Sequence, residues 1–510
     1  MASLEEQLFS GPTGPQWRQI GVRPHHGIVL PLFSLHSGHS PIGEYPDLMA
    51  VADWCHSVGF DTIQLLPLND TGNQTSPYSA RSAFALNLMH LRLDALPEMD
   101  EALVKAAALA PQSGHRLDYL AIWNHKRKFL DLYCQRVGSR LRNQEEYKAF
   151  VANNPWLEGY ALYKVLKRAS DGKHWEEWRP EWRDADAAMR QRLVQENQAF
   201  IETQLITQFL CHTQLETARA HAQSQGVFLM GDIPILIDRD SADVWLNRSY
   251  FQMEANAGSP PDEFNAKGQA WGFPPYQWTT LAQDGHSWWR QRLQAAARYY
   301  QLVRIDHIVG FFRIWTIPNG HDGKDGHFEP RDQATWIDRG RDLLTMMTHA
   351  SSLLPIGEDL GTVPNGVRPC MHALGICGTR VIRWEKRWAT DRSFVPFDQY
   401  DPLSLTTVST HDTEPLLLWW QRDPTAATLA PSARALLEAS HRTASLFHIN
   451  LLSEYLAHFP DLTWGNPAED QINVPGTVSP NNWSIRLRPP LESWTSHAGL
   501  RDWLQKLSKT

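Results

Sequence analysis

A chain of 510 residues with a net charge of −8 and 42% hydrophobic residues carries enough apolar material for a large core, and its acidic balance argues against a nucleic-acid or anionic-membrane partner. The five cysteines (Cys55, Cys134, Cys211, Cys370 and Cys377) are scattered and form no CxxC pair, which argues against a disulfide framework or a thiolate metal site and fits a reduced setting. The opening MASLEEQLFSGPTGPQW lacks the basic start and apolar run of a signal peptide, and no segment approaches the roughly 20 apolar residues of a membrane span, so a soluble cytoplasmic protein is expected.

In chain order, GIVLPLF (27–33) is the first candidate strand, followed by a helical PDLMAVADWCHSVG (46–59) that stops at Gly59. DTIQLLPL (61–68) is the second strand. The next stretch, about 90–225, is far too long for one connecting helix, and its charged, periodic composition predicts a helical insertion. VFLMGDIPI (227–235) is the third strand, and about 240–300 reads as a second insertion rich in Pro, Gly and aromatics, the composition of a functional loop. LVRIDHIVG (302–310), LPIGEDLG (354–361), TRVIRW (379–384), PLSLTTVST (402–410) and NWSIRLR (482–488) bring the strands to eight. Eight strands alternating with helical stretches predict an α/β fold, a (β/α)8 TIM barrel, with residues 1–510 forming one catalytic domain that carries both insertions.

Three of these runs end in a carboxylate: Asp306 in RIDHIVG (304–310), Glu358 in IGEDLG (356–361) and Asp412 in STHDTEP (409–415). Strand ends of a parallel barrel meet at one rim, so acids placed there converge. The chain also holds 22 tryptophans, whose flat faces suit the C–H faces of sugar rings. Each signal has a plainer reading when taken alone. An Arg–Asp pair such as Arg304 and Asp306 can be a buried structural ion pair without substrate, a His–Asp pair such as His411–Asp412 is mostly solvated or structural, and most tryptophans pack cores. Together they point to chemistry on carbohydrate.

IVLPLFSLHSGHSPIGEYPDL (28–48), TIQLLPLNDTGNQTSPYSARSAFALN (62–87), GDIPILIDRDSADVW (231–245), SPPDEFNAKGQAWGFPPYQW (259–278), NVPGT (473–477) and NNWSIRLR (481–488), with the three acidic motifs, resemble the amylomaltases. These are the 4-α-glucanotransferases of the α-amylase clan, and the resemblance runs almost the whole length. It implies transfer of α-1,4-glucan segments to glucose or maltooligosaccharide acceptors, with no cofactor and no metal. It implies further that Asp306 is the nucleophile, kept ionised by Arg304 on the same strand face. Glu358 is implied as the general acid/base, with adjacent Asp359 as the rival, since neighbouring side chains of an extended segment face opposite ways. By the same resemblance, Asp412 and His411 hold the hydroxyls of the reacting sugar. Tyr78, with Ser76 beside it, gives a stacking platform, and Asp232 and His307 face the cleft. Trp271 lies in a Pro-bounded loop arching over that cleft, where exclusion of water favours transfer. After His307 the chain reads Ile308-Val309-Gly310 where many relatives have an aromatic and an arginine, which touches subsite detail and not the acids. An α-glucan hydrolase on the same scaffold and a non-catalytic glucan-binding protein are the alternatives. Oligomeric state is not readable from the sequence.

Overall fold

The computed structural model describes residues 3–261 and 266–509. Eight short parallel strands form its centre: β1 (His25–Leu30), β2 (Thr62–Leu65), β3 (Phe228–Ile233), β4 (Leu302–Ile305), β5 (Leu354–Gly357), β6 (Gly378–Val381), β7 (Ser404–Thr407) and β8 (Phe447–Leu451). Their hydrogen-bonded order is β6-β7-β8-β1-β2-β3-β4-β5. A parallel bridge between Ile356 and Cys377 joins β5 to β6 and closes the ring. This is the (β/α)8 barrel, and its strands are buried on both faces, which is why they read as apolar runs without alternation.

The pleat divides those runs between two cores. Val29, Met230, Leu302, Leu354, Ile356, Leu405, Phe447 and Ile449 fill the barrel interior. Ile28, Leu30, Ile63, Leu65, Val303 and Ile305 face outward and pack under the helices. The side chain two residues beyond an interior residue therefore also points inward, toward the rim where the strands end.

One predicted strand is misplaced. Residues 482–488 make only an isolated antiparallel bridge, Ile485 to Arg116, and the eighth strand is Phe447–Leu451. Its sequence, FHINL, interrupts the apolar run with His448 and Asn450. Both turn outward into hydrogen bonds, His448 to the Thr443 carbonyl and Asn450 to Ser440, Tyr455 and the Val408 N–H. Segment 482–488 mimics a strand because apolar Trp483, Ile485 and Leu487 alternate with polar Asn482, Ser484 and Arg486 in the sequence, yet all six are buried and its backbone bonds go to residues such as Ser34 and His115.

Between β2 and β3 the chain builds helices Glu101–Ala107, Tyr119–Arg142, Glu145–Ala152, Trp156–Ala169, Ala187–Glu196 and Gln198–Ser224. The last of these packs back on the barrel: its Gln208 side chain exchanges both hydrogen bonds with the Leu86 backbone, at 2.7 and 2.9 Å. Past β3, strands Ala255–Ser259 and Gln269–Ala270 join Ile314–Pro318 and His327–Glu329, which follow β4, in a four-stranded antiparallel sheet. The stretch at 262–265, part of the SPPDEFN motif, lies outside the described residues. Among the described residues no helix is long and apolar enough to cross a membrane. Of the tryptophans, only Trp384 and Trp388 are exposed. Most indoles here build structure, as with Trp288 and Trp289 packed against Tyr276.

Candidate active site

Arg304 is the hub of the rim. It lies two residues after Leu302 on β4 and shares the interior face, opposite Asp232 on β3 and Ile356 on β5. Its Nη1 donates to both oxygens of Asp232, at 2.9 and 2.7 Å. Its Nη2 lies 2.9 Å from Asp306 Oδ1 and donates to Glu358 Oε2 at 2.9 Å. A nitrogen shared in this way holds the two carboxyls side by side, no farther apart than twice that distance, within the reach that a retaining carboxyl pair needs. Asp306 and Glu358 follow directly on β4 and β5, and backbone bonds fix both turns: Asp306 N–H to the Ile233 carbonyl and Glu358 N–H to the Ile305 carbonyl.

A cavity of about 490 Å³ opens above them. Asp306, Glu358, Asp412, His411, His307, Tyr78, Ser76 and Trp271 all line it, while Arg304 and Asp232 form the layer beneath. Tyr78 donates to Asp232 Oδ2 at 2.9 Å, lies 3.0 Å from His411 Nε2, and stacks its ring on the His411 ring. Ser76 accepts the Tyr78 N–H, which fixes the turn that carries the phenol. Asp412 is the most open of the three acids, with 44% of its side chain exposed, and accepts from Asn473 Nδ2 at 2.6 Å. Trp271 meets the His307 ring edge-on, centroids 5.1 Å apart.

One guanidinium cannot balance three carboxylates, so the charges redistribute. Burial, reinforced by Asp306 and opposed by Arg304, pushes the Glu358 carboxyl up to about 8, so that it carries a proton at neutral pH. Burial also raises Asp232, against the pull of Arg304, and holds the Tyr78 phenol well above its ordinary range. The His307 imidazole is pushed down by burial and stays neutral.

Asp359 points the opposite way from Glu358. It is fully buried and takes bonds from Arg368, both ways from Arg380, and from the Thr379 N–H, at 2.6 to 3.1 Å. The cavity therefore holds one carboxylate of this adjacent pair.

The sequence profile of a family described as 4-alpha-glucanotransferase matches residues 30–492. The chain belongs to the 4-alpha-glucanotransferase family. A 4-alpha-glucanotransferase of Chlamydia muridarum is 40% identical over 526 residues, covering 98% of this chain and 98% of the relative. One from Synechocystis is 30% identical, covering 92% of this chain and 95% of the relative. Among solved structures, an amylomaltase from Streptococcus agalactiae in complex with acarbose shares the fold, with a TM-score of 0.83 at 22% identity over 95% of this chain and 99% of that one. An amylomaltase from Corynebacterium glutamicum does so with a TM-score of 0.77 at 21% identity, over 97% of this chain and 76% of that one.

Two residues of the candidate site in this 4-alpha-glucanotransferase escape sequence reasoning. Asn473 binds Asp412, and Trp483 packs on both Tyr78 and His411. NVPGT and NNW carried the signal as motifs, but nothing local in either segment says which acid or ring it will meet.

Proposed function

We propose that this enzyme moves segments of α-1,4-glucan to glucose or maltooligosaccharide acceptors by a retaining double displacement. Asp306 attacks the anomeric carbon while Glu358 gives its proton to the departing 4-oxygen, leaving a glycosyl ester on Asp306. Glu358, now a carboxylate, takes the proton of an incoming 4-hydroxyl, which displaces the ester and restores the configuration. Asp412 and His411 hold hydroxyls of the distorted sugar, and Tyr78 gives its ring as a floor. The observation that carries this reading is the single Arg304 nitrogen 2.9 Å from an oxygen of Asp306 and 2.9 Å from one of Glu358, the acid on which burial keeps a proton. The full-length match to 4-alpha-glucanotransferases supports the choice of sugar over water as acceptor. The five cysteines, all unpaired, support a reduced cytoplasmic location.

Incubation with maltotriose alone tests the reaction. A ladder containing glucose and oligosaccharides longer than the substrate is the expected product, and a mixture of shorter sugars only would mean hydrolysis. Asp306→Ala should lower turnover by at least roughly a thousandfold, the scale on which an enzyme loses a covalent nucleophile, while maltooligosaccharide binding by calorimetry persists. Wild-type-like turnover in that variant would remove Asp306 from the role.

A further inference from the structure

The inference rests on the role of Glu358 proposed above, because that group must both release and recapture a proton. Its charged and titratable surroundings are Arg304 and Asp306 from β4, Asp232 beyond Arg304, and Tyr78, His411 and Asp412 from the facing loops. A backbone donor completes the set, the His307 N–H, at 2.8 Å from Glu358 Oε2.

That N–H is aimed by an uncommon backbone. His307 sits at φ 47°, in the left-handed region that a residue with a Cβ avoids. Such a conformation persists only where its surroundings hold it. On one side Gly310 donates to the His307 carbonyl at 2.9 Å, and a Cβ there would stand 2.5 Å from Ile235 Cδ1 and 3.1 Å from His307 Cδ2. On the other side stands Trp271, its ring at 82° to the imidazole. Trp271 is itself fixed, its N–H bonded to the Ala257 carbonyl at 2.9 Å and its indole Nε1 to Gln269 Oε1 at 3.1 Å. The imidazole thus lies between a glycine whose Cβ would crowd it and an anchored indole.

We propose that Trp271 is a positioning residue for the acid: its edge-on packing against His307 holds the left-handed turn that points the His307 N–H at Glu358, so the seating of Trp271 sets how firmly Glu358 keeps its proton. A hydrogen bond donated to a carboxylate favours the charged form, so loss of the bond makes Glu358 hold its proton to higher pH. The wall of the cleft and the proton shuttle are then one mechanical unit.

The test is the pH dependence of kcat/KM for maltotriose disproportionation by the full-length enzyme. Trp271→Leu should move the basic limb upward by about half a unit or more, the size of effect one backbone donor has on a carboxylate, and Trp271→Phe should restore it by returning an aromatic edge. Asparagine tolerates the left-handed region, so His307→Asn should keep the wild-type limb, and adding Trp271→Leu to it should shift nothing further. An unmoved limb in Trp271→Leu with a raised acceptor KM would overturn the proposal and leave Trp271 a binding surface only. A shift that persists on the His307→Asn background would overturn it too. The acid role itself is checked apart from Trp271. Glu358→Gln should lose maltotriose turnover yet still release fluoride from α-maltosyl fluoride in the first turnover, because fluoride leaves without protonation. Unchanged maltotriose turnover in Glu358→Gln would instead remove the acid role.

Discussion

Glu358 and Asp359 are neighbours in the chain with opposite surroundings. One lines an open cavity and keeps a proton; the other is sealed among Arg368, Arg380 and the Thr379 N–H. The two variants should therefore separate cleanly. Asp359→Asn removes the charge facing two arginines and should cost about 3 kcal/mol of stability, as breaking a buried pair does, read by urea unfolding, while the basic limb of the pH–rate profile stays in place. Glu358→Gln should instead lose maltotriose turnover at every pH, whereas in the wild type the basic limb falls as pH rises through about 8 and, in the proposed role, Glu358 loses its proton. A profile changed by Asp359→Asn and untouched by Glu358→Gln would exchange the two roles. Much of this was legible in the sequence, because two adjacent carboxylates on an extended segment cannot face the same way, and Leu354, Ile356 and Glu358 share one phase of the pleat. The reach of Arg304 was only half legible. Its phase with Asp306 could be read from the strand, whereas its bonds to Asp232 and Glu358 depend on which strands become neighbours.

Helix Tyr119–Arg142 shows how an insertion is held to a barrel. Its Lys126 is completely buried and donates to Glu44 Oε1 at 2.6 Å and to the carbonyls of Met89 and Leu91 at 2.7 and 2.8 Å. Arg92 bonds both Glu44 and Asp47, closing a network of buried charge. Lys126→Met keeps the volume but strands Glu44 and two carbonyls, so a loss of about 3–5 kcal/mol is expected in urea unfolding; a loss below about 1 kcal/mol, the worth of a surface pair, would mean that water reaches the site. Helix Trp156–Ala169 grips the loop that carries Tyr78: Tyr160 and Lys164 hold Asp70, while Tyr163 and Lys167 hold Asp240, which also binds Arg81. The helices themselves could be read from charge and period. Their anchors could not, because Lys126 and Glu44 are joined by the fold and not by any local pattern. Strand β8 was missed for a related reason, since the polar outward positions of His448 and Asn450 make sense only beside Ser440, Thr443 and Tyr455.

At the scale of the whole molecule, the end of the barrel opposite the rim holds a histidine cluster. His26 on β1 stacks on His441 and His448 at 5.1 and 5.0 Å, and the Nδ1 atoms of His26 and His441 lie 2.9 Å apart. Burial pushes His26 and His448 down to about 4 and pushes His441 well below its ordinary range, with Asp61 the one carboxylate acting against it at His26. The unfolded chain binds these protons more readily than the folded one. The stabilising contribution is therefore complete above the ordinary histidine value near 6.5 and is lost as pH falls toward about 4. At His26 and at His448 the shift is worth about 3 kcal/mol at its full extent. Tm should fall steeply across that window, and replacing His26 and His448 by glutamine should lower Tm at pH 7 but flatten its decline in acid. An equally steep decline in the double variant would place acid sensitivity elsewhere. The barrel as a whole was legible because both-sided burial writes continuous apolar runs; the four-stranded sheet was not, because it joins segments from either side of β4.

The bridge from Ile356 to Cys377 has a consequence for how this enzyme fails. A barrel is a hoop, and this one is welded at its last seam by a short patch: the Gly357 N–H on the Cys377 carbonyl, the Thr379 hydroxyl on the Gly357 carbonyl, and the Asp359 carboxylate on the Thr379 N–H. Elsewhere adjoining strands share ladders of two to five residue pairs. Where a ring is thinnest it parts first, and the thin place abuts Glu358. Warmed toward its limit, the protein would let Glu358 drift out of alignment while Asp306, following a strand seated between two full ladders, still stood in place, so that under the roles proposed above chemistry would stop in a molecule that remained folded.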